Sequence, residues 1–299
     1  MDLRNIYKCL DIPLLFTLVS AVAMGLAICH HLPTLPNGGI IESGVPWFFF
    51  ASGFWYGRKP RDYKKELGKR VKSLLVPYYL WNICWFPILF VANWIGWRYC
   101  GVERAVDGSL ATIIRCLGFN PCQWPALVPT WFLRALFVAV ATVGGLWSLG
   151  TRLKKLRHGE FAWRVTVALL FICVYATRKC WMLTDPSWDG FFIFGVPLRG
   201  MMCFAVGGMV AMLLDDYREM RFKIAVLLIR RQMMPIYMIH AIVIMICGWV
   251  AKAIGCFDGL ATIQGDIVMW FVGIIGAIAI GESIRLLAPN AARVLFGGR

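Results

Sequence analysis

An all-α bundle of about eight transmembrane helices, with both termini on the cytoplasmic side, is the fold this sequence predicts, on three observations. First, 60% of the 299 residues are hydrophobic, 14 are Trp, and the mean hydropathy is +0.67. Soluble domains hold roughly 45–50% apolar residues. Second, the apolar residues fall in long runs, as hydrocarbon demands of spanning helices. Third, the formal charge of +15 is carried by short segments between those runs, and Lys and Arg in short loops stay on the side where the chain is made. A basic patch on a soluble fold would point to nucleic acid. Topology accounts for this distribution instead, and no nucleic-acid partner is expected.

The expected spans, in order, are about 12–29, 45–56, 73–95, 129–149, 163–176, 191–214, 233–253 and 267–287. Each is long enough for a core roughly 30 Å thick with some tilt, except 45–56, which is short unless it begins nearer Gly39. The basic clusters at 58–72, 152–164 and 218–231, and Arg293 with Arg299, alternate with loops closer to neutral. Eight crossings put every cluster inside. Met1–Leu10 carries Arg4 and Lys8, but the apolar run behind it is long and lacks a small-x-small exit, so a retained first helix is expected rather than a cleaved signal. The longest outward loop, 96–128, contains GSLATIIRCLGF, a segment suited to lie on the outer leaflet. No repeat or soluble domain interrupts the chain, which reads as a single membrane domain over 1–299. Five of the eleven Cys (Cys29, Cys84, Cys173, Cys203 and Cys247) lie in apolar spans, where they act as small hydrophobes. Cys116 and Cys122 are close in sequence, but spacing alone does not set a disulfide.

Ionisable groups inside a membrane are costly, so each needs a reason. His30 and His31 close the first span at its outer end. An imidazole there either takes a proton from an attacking hydroxyl or simply hydrates at the interface. Lys69, Arg70 and Lys72 end the basic segment ahead of the third span, where a guanidinium can hold phosphate. Topology alone accounts for Arg58, Lys59, Arg61, Lys64 and Lys65. Trp131 fits an interfacial aromatic belt, and Arg134, about one turn on, can snorkel outward. Arg199 is expected about eight residues into its span, on the order of 12 Å deep at 1.5 Å per residue. At that depth it should face a cavity or pair with Glu42 or Asp189. His240 is expected about two turns inside the cytoplasmic edge, as a packing or a functional histidine. Glu282 and Arg285, at i and i+3, suit a self-satisfied helical pair.

The run GVPWFFFASGF at 44–54, followed by KRVKSLLVPYY at 69–79, resembles the signature of acyltransferase family 3. There a GV-x-x-FF-x-x-SGF helix precedes a KR-x-x-x-L-x-x-PY helix start. Trp131 to Leu136 resembles the family's WFL-x-x-L, Ile236 to His240 its iYliH helix, and the stretch from Pro289 its terminus. The resemblance covers nearly the whole chain through short motifs in the right order. It implies an integral membrane protein that moves an acyl group, usually acetyl, onto a hydroxyl of a glycan or related acceptor. It further implies that His30 or His31 is the catalytic base and that Arg70, with Lys69 and Lys72, forms the donor-side basic motif. Trp131, Arg134, Arg199 and His240 are then the supporting polar residues within the membrane.

The expected partners are an acyl-CoA donor, most simply acetyl-CoA, a glycan or lipid-linked sugar acceptor, and the lipid bilayer. No bound cofactor and no metal site are expected. The expected location is the bacterial inner membrane. Two departures from the family stand out. The basic residue usually found eleven positions before the catalytic histidine is here Val19 or Ser20, and the chain between Gly208 and Tyr237 is short of two helices. A non-catalytic transporter or flippase-like carrier, or an inactive relative, is the rival reading.

Overall fold

The computed structural model describes residues 12–29, 44–58, 62–94, 109–117, 130–152, 159–182, 192–193, 196–213, 224–255 and 262–296. These residues fold as α1 (Ile12–Cys29), α2 (Gly44–Gly57), α3 (Tyr63–Arg70), a π-helical turn (Val71–Leu75), α4 (Val76–Trp94), α5 (Leu110–Cys116), α6 (Trp131–Arg152) and α7 (Gly159–Met182). Then come β1 (Phe192–Ile193), β2 (Val196–Pro197), α8 (Leu198–Leu213), α9 (Ile224–Ala253), α10 (Ile263–Leu287) and α11 (Pro289–Leu295). The two short strands pair antiparallel, Phe192 with Pro197 and Ile193 with Val196. The other regular elements among the described residues are all helical.

Among the described residues, four helices are long and apolar enough to cross a membrane: Tyr63–Val91, Trp131–Leu149, Arg231–Ala251 and Gln264–Leu287. Phe16–Cys29, Ala162–Ala176 and Arg199–Met212 are apolar but shorter. Several expected boundaries move. The basic segment before the third span is helix rather than loop. Asp62 caps it, its Oδ1 accepting from the Lys64 and Lys65 amides at 3.0 and 3.3 Å, so Lys64 to Lys72 ride on a helix continuous with α4. The span expected at 191–214 starts its helix only at Leu198, because the strand pair precedes it. Part of the polar stretch 215–231 is helical, since α9 begins at Ile224.

Small residues decide which helices meet. A Cβ placed on Gly53 would lie 1.9 Å from the Phe204 carbonyl oxygen, and one on Gly207 would lie 2.1 Å from that of Phe50. The backbones of α2 and α8 are therefore in direct contact, as close-packed membrane helices require where no hydrophobic drive separates helix from lipid. Helix α3 and the start of α4 run antiparallel along α6. The Tyr63 hydroxyl donates to the Ala141 carbonyl at 2.7 Å, and further along Asn82 Nδ2 donates to Thr130 Oγ1 at 2.8 Å. Pro235 of α9 packs on Gly281 of α10, and the Trp270 indole ties α10 to α1 by donating to the Gly25 carbonyl at 3.0 Å. Helix α11 folds back on α4, where the Trp81 indole donates to the Leu295 carbonyl at 3.1 Å and Phe296 is fully buried. Large apolar side chains such as Val22, Leu169, Val250, Phe271 and Ile275 stand exposed, as lipid-facing positions should.

Candidate functional site

A cavity of about 640 Å³ lies between α1, α2, α6, α8, α9 and the α3–π-turn segment. Its apolar wall includes Met24, Phe48, Phe132, Leu136, Phe204 and Met234. Hydroxyls come from Thr17, Ser20, Ser52, Tyr56 and Tyr237, and two cations, Arg70 and Arg231, complete the lining.

The aim of Arg70 follows from a local sequence cause. Pro77 has no N–H, and its ring cannot pack against the carbonyl four residues back. The helix loosens just before it, so that the Val76 amide bonds to the Val71 carbonyl five residues behind. π-turns of this kind occur frequently at functional sites. On either side of the turn's start, Arg70 and Leu74 both face the cavity. Glu66, only 5% exposed, holds Arg70 through Nε to Oε1 at 2.9 Å and Nη2 to Oε1 at 2.7 Å. A guanidinium has five N–H donors, so one carboxylate oxygen can orient it and still leave donors for a ligand. Lys69 and Lys72 are exposed and do not line the cavity. Of the three donor-side candidates, the fold brings Arg70 alone to the cavity wall.

The remaining candidates scatter. His30 and His31 lie outside the described residues, as do Glu42 and Asp189. Arg134 does not snorkel. It is 9% exposed, turned into the bundle, with its guanidinium over the Tyr78 ring at 5.7 Å and Nη1 donating to the Tyr78 hydroxyl at 3.4 Å. Trp131 is half-buried with its ring 6.4 Å from that of Phe49, so it packs on the core rather than standing in a belt. Arg199 is exposed and stands in the first turn of α8, not eight residues into a helix, because the helix begins at Leu198. His240 is 1% exposed, with Nδ1 2.8 Å from the Ile236 carbonyl of its own helix. It is Tyr237, three residues earlier, that reaches the cavity. The Glu282–Arg285 ion pair forms as its spacing suggests, but it is also joined by Arg231 of α9, whose Nη2 is 2.6 Å from Glu282 Oε2.

Sequence reasoning missed three residues. Arg164, counted above among loop charges, is buried within α7. Its Nη1 donates to the Gly57 carbonyl at 2.9 Å and the Gly208 carbonyl at 3.4 Å, and its guanidinium lies 5.0 Å from the Trp147 ring. It gathers the carbonyl end of α2 and the middle of α8, where a cation is favourable. Its signal was its place beside Trp163 at the start of an apolar run. Arg231 was one basic residue among several, with nothing to single it out. Ser20 lines the cavity, whereas Val19 does not. Its hydroxyl donates to the Phe16 carbonyl at 2.6 Å and accepts from the Trp47 indole at 3.0 Å. Of the two positions at which a first-helix cation was expected, Ser20 is the one that faces the cavity.

Chemically, this is a chamber that can hold an anion at its arginines and exclude water along its aromatic and methionine wall. A family model for the acyltransferase domain of family 3 matches residues 16–230, well over half of the chain. The match spans the α1, α2, α6 and α8 walls and Arg70, and stops one residue short of Arg231. No curated protein and no solved structure matches the chain. On the extent of that match the chain belongs to acyltransferase family 3 and is a membrane acyltransferase.

Proposed function

We propose that the protein is an O-acyltransferase that moves an acyl group, acetyl in the simplest case, from a coenzyme A thioester to a hydroxyl of a cell-surface or lipid-linked glycan. The observation that carries this reading is the cavity itself, with Arg70 fixed by Glu66 at a wall that is otherwise aromatic and apolar. A phosphate-bearing thioester has the matching character: anionic at one end, with a thin reactive arm at the other. In the step proposed, the acceptor oxygen attacks the thioester carbonyl, forming a C–O bond. The acceptor proton passes to His30 or His31, the C–S bond breaks, and coenzyme A leaves as its thiol. Lys69 and Lys72 serve as an outer cationic rim that raises the local donor concentration.

Acceptor-dependent release of coenzyme A thiol by the purified protein tests this. Movement of donor or glycolipid across vesicles with no thiol released would favour a carrier, the reading to which Ser20 in place of a cation lends weight. A sharper test uses Arg70. Removing it alone would break the ion pair of the buried Glu66 carboxylate, which is destabilising, so Glu66→Gln and Arg70→Gln are made together. The expected result is an apparent KM for acetyl-CoA raised roughly 10-fold to 100-fold, the worth of a charge-assisted hydrogen bond or two. Lys64→Gln, on the same helix but exposed, should change little. Equal effects at both places would mean that helix charge has been mistaken for a site.

The proposed topology is eight crossings with both termini in the cytoplasm, in a bacterial inner membrane. It predicts that a membrane-impermeant maleimide added to intact cells leaves Lys65→Cys unlabelled and labels it after lysis. Labelling before lysis would invert the arrangement.

A further inference from the structure

We infer that Arg231 is a second phosphate-binding arm of the same cavity, acting with Arg70 on the donor; the inference rests on the coenzyme A reading above. Both side chains line one chamber although they come from distant parts of the chain, and α9 enters the chamber at Arg231, continuing along its wall with Met233, Met234 and Tyr237. The ion pairs then separate the two arginines. Arg70 is paired with the buried Glu66 carboxylate. On the other side one carboxylate, Glu282, is shared between Arg231 and Arg285, so those three side chains together carry one positive charge and favour an anion.

Arg231 is not needed to fasten α9 to α10. Arg285 of α10 does that already, through Nη2 to the Arg231 backbone carbonyl at 2.6 Å and Nη1 to Gln232 Oε1 at 3.3 Å. Gln232 Nε2 adds a bond to Glu282 Oε1 at 2.5 Å. The Arg231 side chain is half exposed, so its guanidinium is anchored at one nitrogen and open to ligand with the rest. Such an arm suits a phosphate monoester or diphosphate, for which a guanidinium offers a fork of parallel N–H donors. Two sources share that chemistry, the coenzyme A of the donor and the diphosphate of a lipid-linked sugar; the cavity's pairing of Arg231 with Arg70 assigns it to the donor.

The experiment compares wild type, Arg231→Gln and Arg231→Lys, each purified and checked for unchanged thermal stability. Equilibrium binding of coenzyme A is measured first, since it reads the arm whether or not turnover is seen. Binding weakened roughly 10-fold to 100-fold in Arg231→Gln, with partial recovery in Arg231→Lys, is expected. Turnover adds a split: a raised KM for acetyl-CoA with kcat changed less than about threefold, and no difference with S-acetylpantetheine, which lacks the nucleotide phosphates. Equal coenzyme A binding by wild type and variant overturns the inference, as does an equal loss with S-acetylpantetheine. A shift confined to the KM of a lipid-diphosphate acceptor also overturns it and moves the arm to the acceptor. If wild type binds coenzyme A through Arg231 yet releases no thiol, the arm stands and the transferase reading falls. If wild type does not bind coenzyme A, both fall.

Discussion

Gly53→Val is expected to leave almost no folded protein. Even the first added carbon would sit 1.9 Å from the Phe204 carbonyl oxygen, and the obstacle is backbone, not a side chain able to swing aside. Overpacking a well-filled core costs about 1–3 kcal/mol when neighbours can adjust, occasionally more, and native proteins have only about 5–15 kcal/mol in hand. Here the adjustment would have to part α2 from α8, which also meet closely where Gly207 faces the Phe50 carbonyl and Gly57 faces the Gly208 backbone, and would pull Gly57 and Gly208 away from Arg164, which donates to both carbonyls. The measurement is the monodisperse fraction on size exclusion after detergent extraction, with a thermal melt of whatever survives. Gly68→Ala is the control: nothing lies within 4 Å of the added carbon, and in a helix interior alanine is favoured by about 1 kcal/mol. A Gly53→Val protein with normal yield and melting temperature would refute the direct α2–α8 contact.

The loss of both His30 and His31 is expected to be as severe for turnover as Gly53→Val is for folding, but with the protein intact. Removing a general base costs typically 10² to 10⁴ in rate, so the double alanine variant should release coenzyme A thiol at a rate lower by about that factor at unchanged yield. The single variants then identify which imidazole takes the proton. His240→Ala should behave in the opposite way. Its ring is buried beside Tyr237, and its bond is to a carbonyl within its own helix, so truncation leaves a void and lowers the melting temperature, with turnover per folded molecule little changed. Near wild-type turnover in the double variant would dismiss the base assignment and leave Ser20 as a mark of different chemistry.

The helical class was legible because hydrocarbon imposes a composition that no packing detail can disguise, and the family was legible because its short motifs occur in order. What was not legible depends on partners far away in the chain. Arg134 reads as a snorkelling residue until Tyr78 is seen beneath it, and Arg164 reads as a loop charge until the carbonyls of Gly57 and Gly208 are placed around it. Hydropathy joins the apolar stretch before Leu198 to the helix after it, which is why Arg199 seemed deep when it stands in a first turn. The Lys64 to Lys72 segment reads as loop because its charge hides the cap at Asp62 that makes it helix. The candidate site was half visible: Arg70 was picked out from its motif, while Arg231 became notable only when α9 was folded against the same chamber.

The π-helical turn gives this protein an unusual kind of evolvability. An α-helix advances by about 100° per residue, so gaining or losing one residue between Arg70 and Pro77 would be inherited as a rotation of the entire basic face relative to α4. Charge, hydropathy and the number of spans would hardly register such an event. Yet a loss would put Lys69, and a gain Val71, at the place seven residues before Pro77 that Arg70 now holds. Lineages that kept this fold while changing donor would be expected to differ in the length of that segment before they differ in its composition.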